Sequence, residues 1–278
     1  MIEHTIRPVI KSVRALDPDL RTGALWELRL PDEFMKKVHH TFVWSDEVAS
    51  GVRMFFKMYR HRKLPTWWKS KALRFRAERE YDRLNILHQA GVPCSEPMIF
   101  ACGVSPEHGR YEVLGTREVP YSRKMADFLR DFKDVELRPN LTALFQTIRR
   151  MHTAGVYHGT LTPNNIVVSE PPGEPVAFHV IDVPRAIDFP WDLRGTKMAW
   201  FDLIHFTYRT APFIGVDACL PILKEYEFSA NHRDRFLRHL MGYRTSKLLR
   251  LRLKYEFAVK AWLAKRHGNA RLLGPDDH

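Results

Sequence analysis

Cysteine is scarce in this chain, with three residues, Cys94, Cys102 and Cys219, among 278. They lack a metal-ligand spacing and are too few for a disulfide framework, so a reducing, cytoplasmic setting is expected. Long apolar runs are missing too, which excludes a bilayer-spanning helix, and Met1 to Val13 has no apolar core of the signal-peptide kind. Acidic residues run short: 32 Asp and Glu stand against 44 Lys and Arg, a formal charge of +12. The deficit is local. From Lys57 to Arg79 one acid, Glu78, faces nine Lys/Arg; from Arg233 to Arg266 two acids, Asp234 and Glu256, face eleven. Such stretches attract nucleotide phosphates, anionic headgroups or nucleic acid, or simply solubilise a face. No recognised RNA or DNA motif accompanies the charge, so nucleic acid is not the expected partner.

What is present suits a globular chain long enough for one large domain or two lobes, with 45% hydrophobic and 27% charged residues. Residues 1–22 carry no clear pattern. Ala24–Leu30, Val38–Trp44 and Val52–Tyr59 then read as three β-rich runs of a small antiparallel sheet. A helix is expected over Ser70–Ala90, stopped by Gly91 before Pro93. Ala77, Leu84 and Leu87 share one stripe of it, and Glu80 falls on that same stripe, with Glu78 on the polar side. A carboxylate on a buried face needs a cationic partner, and Lys57, at the end of the third run, is the candidate. The alternative is a glutamate that snorkels to water. Pro97–Val104 and Tyr111–Val119 read as two more strands, and beyond the Pro120-Tyr121 break the pattern is mostly helical. A helix over 139–154 is expected to start at Pro139, bury Leu141, Leu144, Phe145, Ile148 and Met151, and stop at Gly155. His152 lies near that face and reads as structural.

The densest signal is YHGTLTPNNIVV (157–168), followed by HVIDVP (179–184). His158, Leu161 and Asn165 fall at the spacing H-x-D-L-x-x-x-N ahead of an apolar strand, and a second strand ends on Asp182. Phosphotransferases of the protein-kinase fold build their catalytic loop and metal site this way. The expected class is therefore α+β: a two-lobed protein-kinase-like fold with a small antiparallel-sheet N-lobe and one main helix (1–119), and a mostly helical C-lobe with a basic terminal helix (120–278). The backbone at Thr116, Arg117, Glu118 and Val119 is then the expected adenine contact. Two departures stand out. Thr160 occupies the position of the catalytic Asp, and no Gly-rich phosphate loop is apparent, only Thr22-Gly23 and Ser50-Gly51.

The runs REYDRLNILHQAGVPCSEP, HGTLTPNNIVV and VIDVPRAIDF, within roughly residues 50–205, resemble the lipopolysaccharide kinase family of the Kdo kinase and WaaP type. The resemblance implies phosphate transfer from ATP, with Mg²⁺, to a heptose or Kdo hydroxyl of the inner core, at the cytoplasmic face of the inner membrane. Residue by residue, it implies Lys57 as the phosphate-binding lysine with Glu80 as its partner, and Asn165 and Asp182 as metal ligands. It also implies His158 as the loop histidine, and Asp202 as a buried residue pinning the catalytic loop.

General-base assistance is worth about 10²–10⁴-fold, whereas phosphoryl transfer leans more on positioning and electrostatics. Threonine can orient a hydroxyl but cannot take its proton near neutral pH. Two functions are therefore compatible with the residues: a slow or atypical lipopolysaccharide-core kinase, or a pseudokinase that regulates or scaffolds through its surface. In the terminal stretch Arg244–His267, Leu248, Leu251, Leu253, Phe257, Trp262 and Leu263 alternate with basic residues. Such a helix could rest on an anionic membrane surface or dock its apolar face on the C-lobe core.

Overall fold

A computed structural model describes residues 5–6, 14–15, 28–29, 34–38, 40–48, 52–61, 75–105, 109–131, 134–228 and 230–268. The turn candidates Thr22-Gly23 and Ser50-Gly51, most of the 24–30 run, and the start of the Ser70–Ala90 helix lie outside these residues. By internal contacts the chain forms two compact units. One comprises Met1–Asn85 with Ser95–Glu118, the other Ile86–Cys94 with Val119–His278.

The first unit is built on a six-stranded antiparallel sheet. In chain order its strands are β1 (Arg14–Ala15), β2 (Lys36–Val38), β3 (Thr41–Val48), β4 (Val52–His61), β5 (Pro97–Ser105) and β6 (Gly109–Arg117), and in space they run β1-β5-β6-β4-β3-β2. The Val38–Trp44 run is therefore not one strand. It breaks at His40, where a tight turn joins β2 to β3 with Val38 opposite Thr41. In β4, Met54, Phe56 and Met58 alternate into a core shared with Phe42, Trp44, Ile99 and Val113. Each such side chain contributes about 1.5–3 kcal/mol by leaving water. The opposite parity of β4 puts Lys57 and Tyr59 on the other face. Helix α1 (Arg76–Gln89) buries Ala77, Glu80, Tyr81, Leu84 and Leu87.

In the second unit, Val92 N–H bonds back to Leu87 O and Val180 N–H to Pro93 O, so the α1 exit is laced to a strand of this unit. That strand, β9 (Ala177–Val180), belongs to a three-stranded sheet with β8 (Ile166–Ser169) and β7 (Ser122–Lys124). The helices are α2 (Met125–Asp131), α3 (Asp134–Thr153), α4 (Lys197–Ile214), the short α5 (Val216–Cys219) and α6 (Ile222–Glu225), then α7 (Ala230–Thr245) and α8 (Lys247–His267). Helix α3 starts five residues ahead of Pro139, which sits inside it. Proline there, at the sixth residue, removes one intrahelical backbone donor near the start of the helix. Its buried face is the expected one, with Leu141, Leu144, Phe145, Ile148 and Met151 all buried. Gly155 ends it at φ +75°, and a β-carbon there would collide with the Phe189 and Trp191 carbonyl oxygens.

Among the described residues no helix is long and apolar enough to cross a membrane. The three cysteines are buried and form no disulfide.

Candidate active site

The functional candidates form one group in each unit. In the first, β4 carries Lys57 and α1 carries Glu80 into contact. Lys57 Nζ lies 3.0 Å from Glu80 Oε1 and 3.1 Å from Oε2. The lysine side chain keeps 20% of its surface and the glutamate 2%, so the carboxylate is shut away and its cation less so. Sequence reasoning missed the third member. Tyr59, one step along the same face of β4, donates its hydroxyl to Glu80 Oε2 at 2.9 Å. Burial first, then the Glu80 carboxylate, push the Tyr59 hydroxyl well above its usual 10, so it stays a donor. Glu80 is therefore held by two donors from one strand, which offsets the cost of burying its charge.

A second buried carboxylate, Glu112 on β6, was missed as well. It accepts from Ala77 N–H at 2.6 Å, in the first turn of α1, and sits 2.8 Å from His61 Nε2. It thereby caps the helix end whose N–H groups have no intrahelical partner and sets the helix that presents Glu80. The signal was available: Glu112 interrupts the apolar run Tyr111–Gly115, and the reasoning applied to Glu80 fits it equally. Of the expected adenine-contacting backbone, Arg117 N–H donates to Glu96 O and Glu118 N–H to Arg53 O, both at 2.9 Å. Those two donors are already engaged within the protein. Val119 begins the second unit's stretch.

In the second unit the loop 157–165 hangs on Asp202, a fully buried residue of α4. Asp202 Oδ2 accepts from His158 N–H at 2.8 Å and Oδ1 from Gly159 N–H at 2.9 Å. His152 Nε2 stands 3.2 Å from Oδ2, with its Nδ1 on the Tyr226 hydroxyl. His152 is thus part of the same buried network, and it was legible in sequence only as a structural histidine. His158 is 1% exposed, so its ring offers no face to a ligand. Burial dominates and lowers its pKa, against the pull of the Asp202 and Asp182 carboxylates and the Ile181 backbone. A neutral ring follows, packed under the loop.

Beyond Gly159 (φ +74°) the loop delivers Thr160, half-buried, and Leu161, fully buried. The turn Pro163–Asn165 then leads into β8. Ile166 pairs with Val180, and Ile181 N–H donates to Asn165 O at 2.8 Å. Asn165 and Asp182 are therefore neighbours at one end of the β8–β9 hairpin. Asp182 is exposed and adopts φ +57°, a left-handed backbone uncommon for a non-glycine. Strain of this kind is kept where surrounding structure over-determines it, often at functional positions. The Asn165 Oδ1 also accepts from Thr162 Oγ1 at 2.6 Å, which orients the amide. An amide and a carboxylate carried at the same end of a hairpin are both hard oxygen donors, the kind that suits Mg²⁺ in the company of substrate phosphates. Among the described residues no group of three His, Cys, Asp or Glu could hold a metal by itself.

An antiparallel sheet with a Lys–Glu pair to one helix, followed by a helical unit whose Asp-pinned loop leads into a hairpin ending on Asn and Asp, defines a protein-kinase-like fold. The family model that matches is the lipopolysaccharide kinase (Kdo/WaaP) family, over residues 35–194, more than half of the chain. The chain belongs to that family. Among solved structures it is similar to WaaP in complex with acyl carrier protein, with a TM-score of 0.57 and 17% identity. The match covers 90% of this chain and 99% of that one, and at such identity the likeness is one of fold. No curated protein matches the chain.

Proposed function

We propose that this chain transfers the γ-phosphoryl group of ATP to a sugar hydroxyl of the lipopolysaccharide inner core, slowly, because Thr160 stands in place of the base. The observation that carries the reading is Asp182, an exposed carboxylate in a left-handed backbone conformation beside Asn165. Lys57, its ammonium on the Glu80 carboxylate and over the Tyr59 ring, would meet nucleotide phosphates with a charge whose direction is set by those two contacts. Asn165 and Asp182 would hold Mg²⁺, which when bound neutralises charge on the phosphates. The acceptor oxygen forms its bond to phosphorus as the bond to the ADP oxygen breaks. With no carboxylate at 160, the hydroxyl proton leaves to solvent or to a phosphoryl oxygen, and Thr160 Oγ1 only orients the acceptor. Because the transition state is loose, positioning and electrostatics carry most of the catalysis.

A second reading, a pseudokinase acting through its surface, is favoured by Thr160 and by the engaged N–H groups of Arg117 and Glu118. Thr160→Asp separates the two. If the rest of the site is competent, ATP turnover on a core-oligosaccharide acceptor rises by about 10²-fold or more, with nucleotide affinity unchanged. Turnover that stays flat while ATP still binds supports the pseudokinase, and the phosphotransfer reading is then abandoned.

A further inference from the structure

Helix α8 has one face settled and one that no described residue covers. On the settled side Ala261 and Ala264 are fully buried, and the Phe257 ring lies 4.7 Å from that of Phe201 on α4. On the other, Leu248 (79% exposed), Leu251 (45%), Tyr255 (71%), Val259 (55%) and Trp262 (53%) stand in water. Their spacing of three or four residues puts all five on one stripe, about 21 Å long. Of the nine exposed large hydrophobics among the described residues, five are these and a sixth, Met241, lies towards the end of the preceding helix. Single exposed apolar residues need no explanation; an aligned stripe marks an interaction surface.

The charge beside the stripe identifies the occupant. Every exposed charged residue of the helix is basic: Lys247, Arg252, Lys265 and Arg266. Lys265 also reaches Asp188, and the Arg266 guanidinium lies 5.1 Å from the Trp262 ring centroid. The one acid, Glu256, is half-buried and ion-paired with Lys260. A second copy of so basic a face would be repelled. A ridge one side chain wide, edged by long cationic side chains and bearing Tyr and Trp, suits a yielding anionic layer. We propose that α8 is a docking element that lies flat on bilayers rich in anionic lipid, with the stripe at the acyl boundary and the basic residues among the headgroups. This surface does not depend on phosphotransfer, and its test needs neither nucleotide nor acceptor.

The experiment is co-sedimentation of the full chain with phosphatidylcholine vesicles, with and without about one quarter phosphatidylglycerol. Anionic vesicles should bind at least about tenfold more tightly, and binding should weaken with added salt. Brominated lipid should quench Trp fluorescence less in Trp262→Phe than in the unchanged chain. Tyr255→Ser with Trp262→Ser should abolish most of the binding, and both positions are exposed, so the thermal midpoint should hold. Should that pair disturb folding, Lys247→Glu with Arg252→Glu tests the same face through charge. The proposal is overturned if the unchanged chain ignores anionic vesicles or if the stripe variants bind them equally well. It is also overturned if the stripe variants instead turn a dimer into a monomer, or lose a complex with an acidic protein, in the absence of vesicles.

Discussion

Lys57 Nζ sits 3.0 and 3.1 Å from the two carboxylate oxygens of Glu80, a pair joining the helix-facing parity of β4 to the buried stripe of α1. The asymmetry of its exposure, 20% against 2%, makes the partners unequal. Lys57→Met leaves a buried carboxylate with Tyr59 as its remaining side-chain donor and should destabilise the chain by about 3 kcal/mol. Lys57→Met with Glu80→Leu, which removes both charges, should recover much of that loss. Urea titrations of the three proteins check this; equal loss in the single and double variants would show that the pair is not the stabilising unit.

Mg²⁺·ATP at millimolar concentration should raise the thermal midpoint by mass action, and Asp182→Asn should shrink the shift by removing a hard anionic ligand. The same variant without nucleotide should melt close to the unchanged chain, because Asp182 is exposed. The absence of any shift in the unchanged chain would count against the metal-site role of Asn165 and Asp182.

Asp202→Asn should cost about 3 kcal/mol and loosen the 157–165 loop. An amide can accept only through one oxygen, so either the His158 or the Gly159 N–H loses its partner inside the protein. Hydrogen exchange at those two amides is the direct readout: faster exchange at either one is expected, and unchanged protection at both would refute the pinning.

Stability should fall as the solution is acidified from pH 6.5 towards 4. Burial is the largest cause that lowers the His205 pKa to about 4, from a usual 6.5. Between those values the unfolded chain takes up a proton that the folded chain refuses. The number of protons bound is then greater in the unfolded state, and stability rises with pH across the window. His158 and His179 are lowered by burial as well and act in the same direction. His205→Gln should reduce the slope of unfolding free energy against pH by about one proton. An unchanged slope would mean that His205 titrates normally in the fold.

Much of this protein was readable because its periodicities are local. The stripe of α1, the buried face of α3 and the alternation of β4 each follow from which residues recur at helical or strand spacing. The spacing from His158 to Asn165, with Asp182 just past the next strand, pointed to the protein-kinase fold, and the resemblance of the longer runs around it pointed to the family. Glu80 was legible because a carboxylate on an apolar stripe must find a cation. The contacts of Glu112 and Tyr59 with α1, and the three groups that meet on Asp202, depend on residues 21 to 50 positions apart. No local pattern records which strand will lie beside which helix. The break at His40, the early start of α3 and the engagement of the Arg117 and Glu118 N–H groups were likewise decided by pairing partners. So was the outward turn of the α8 stripe. Sequence places Leu248, Phe257 and Trp262 on an amphipathic helix, but only packing against Phe201 determines which of them the protein covers and which it leaves to the solvent.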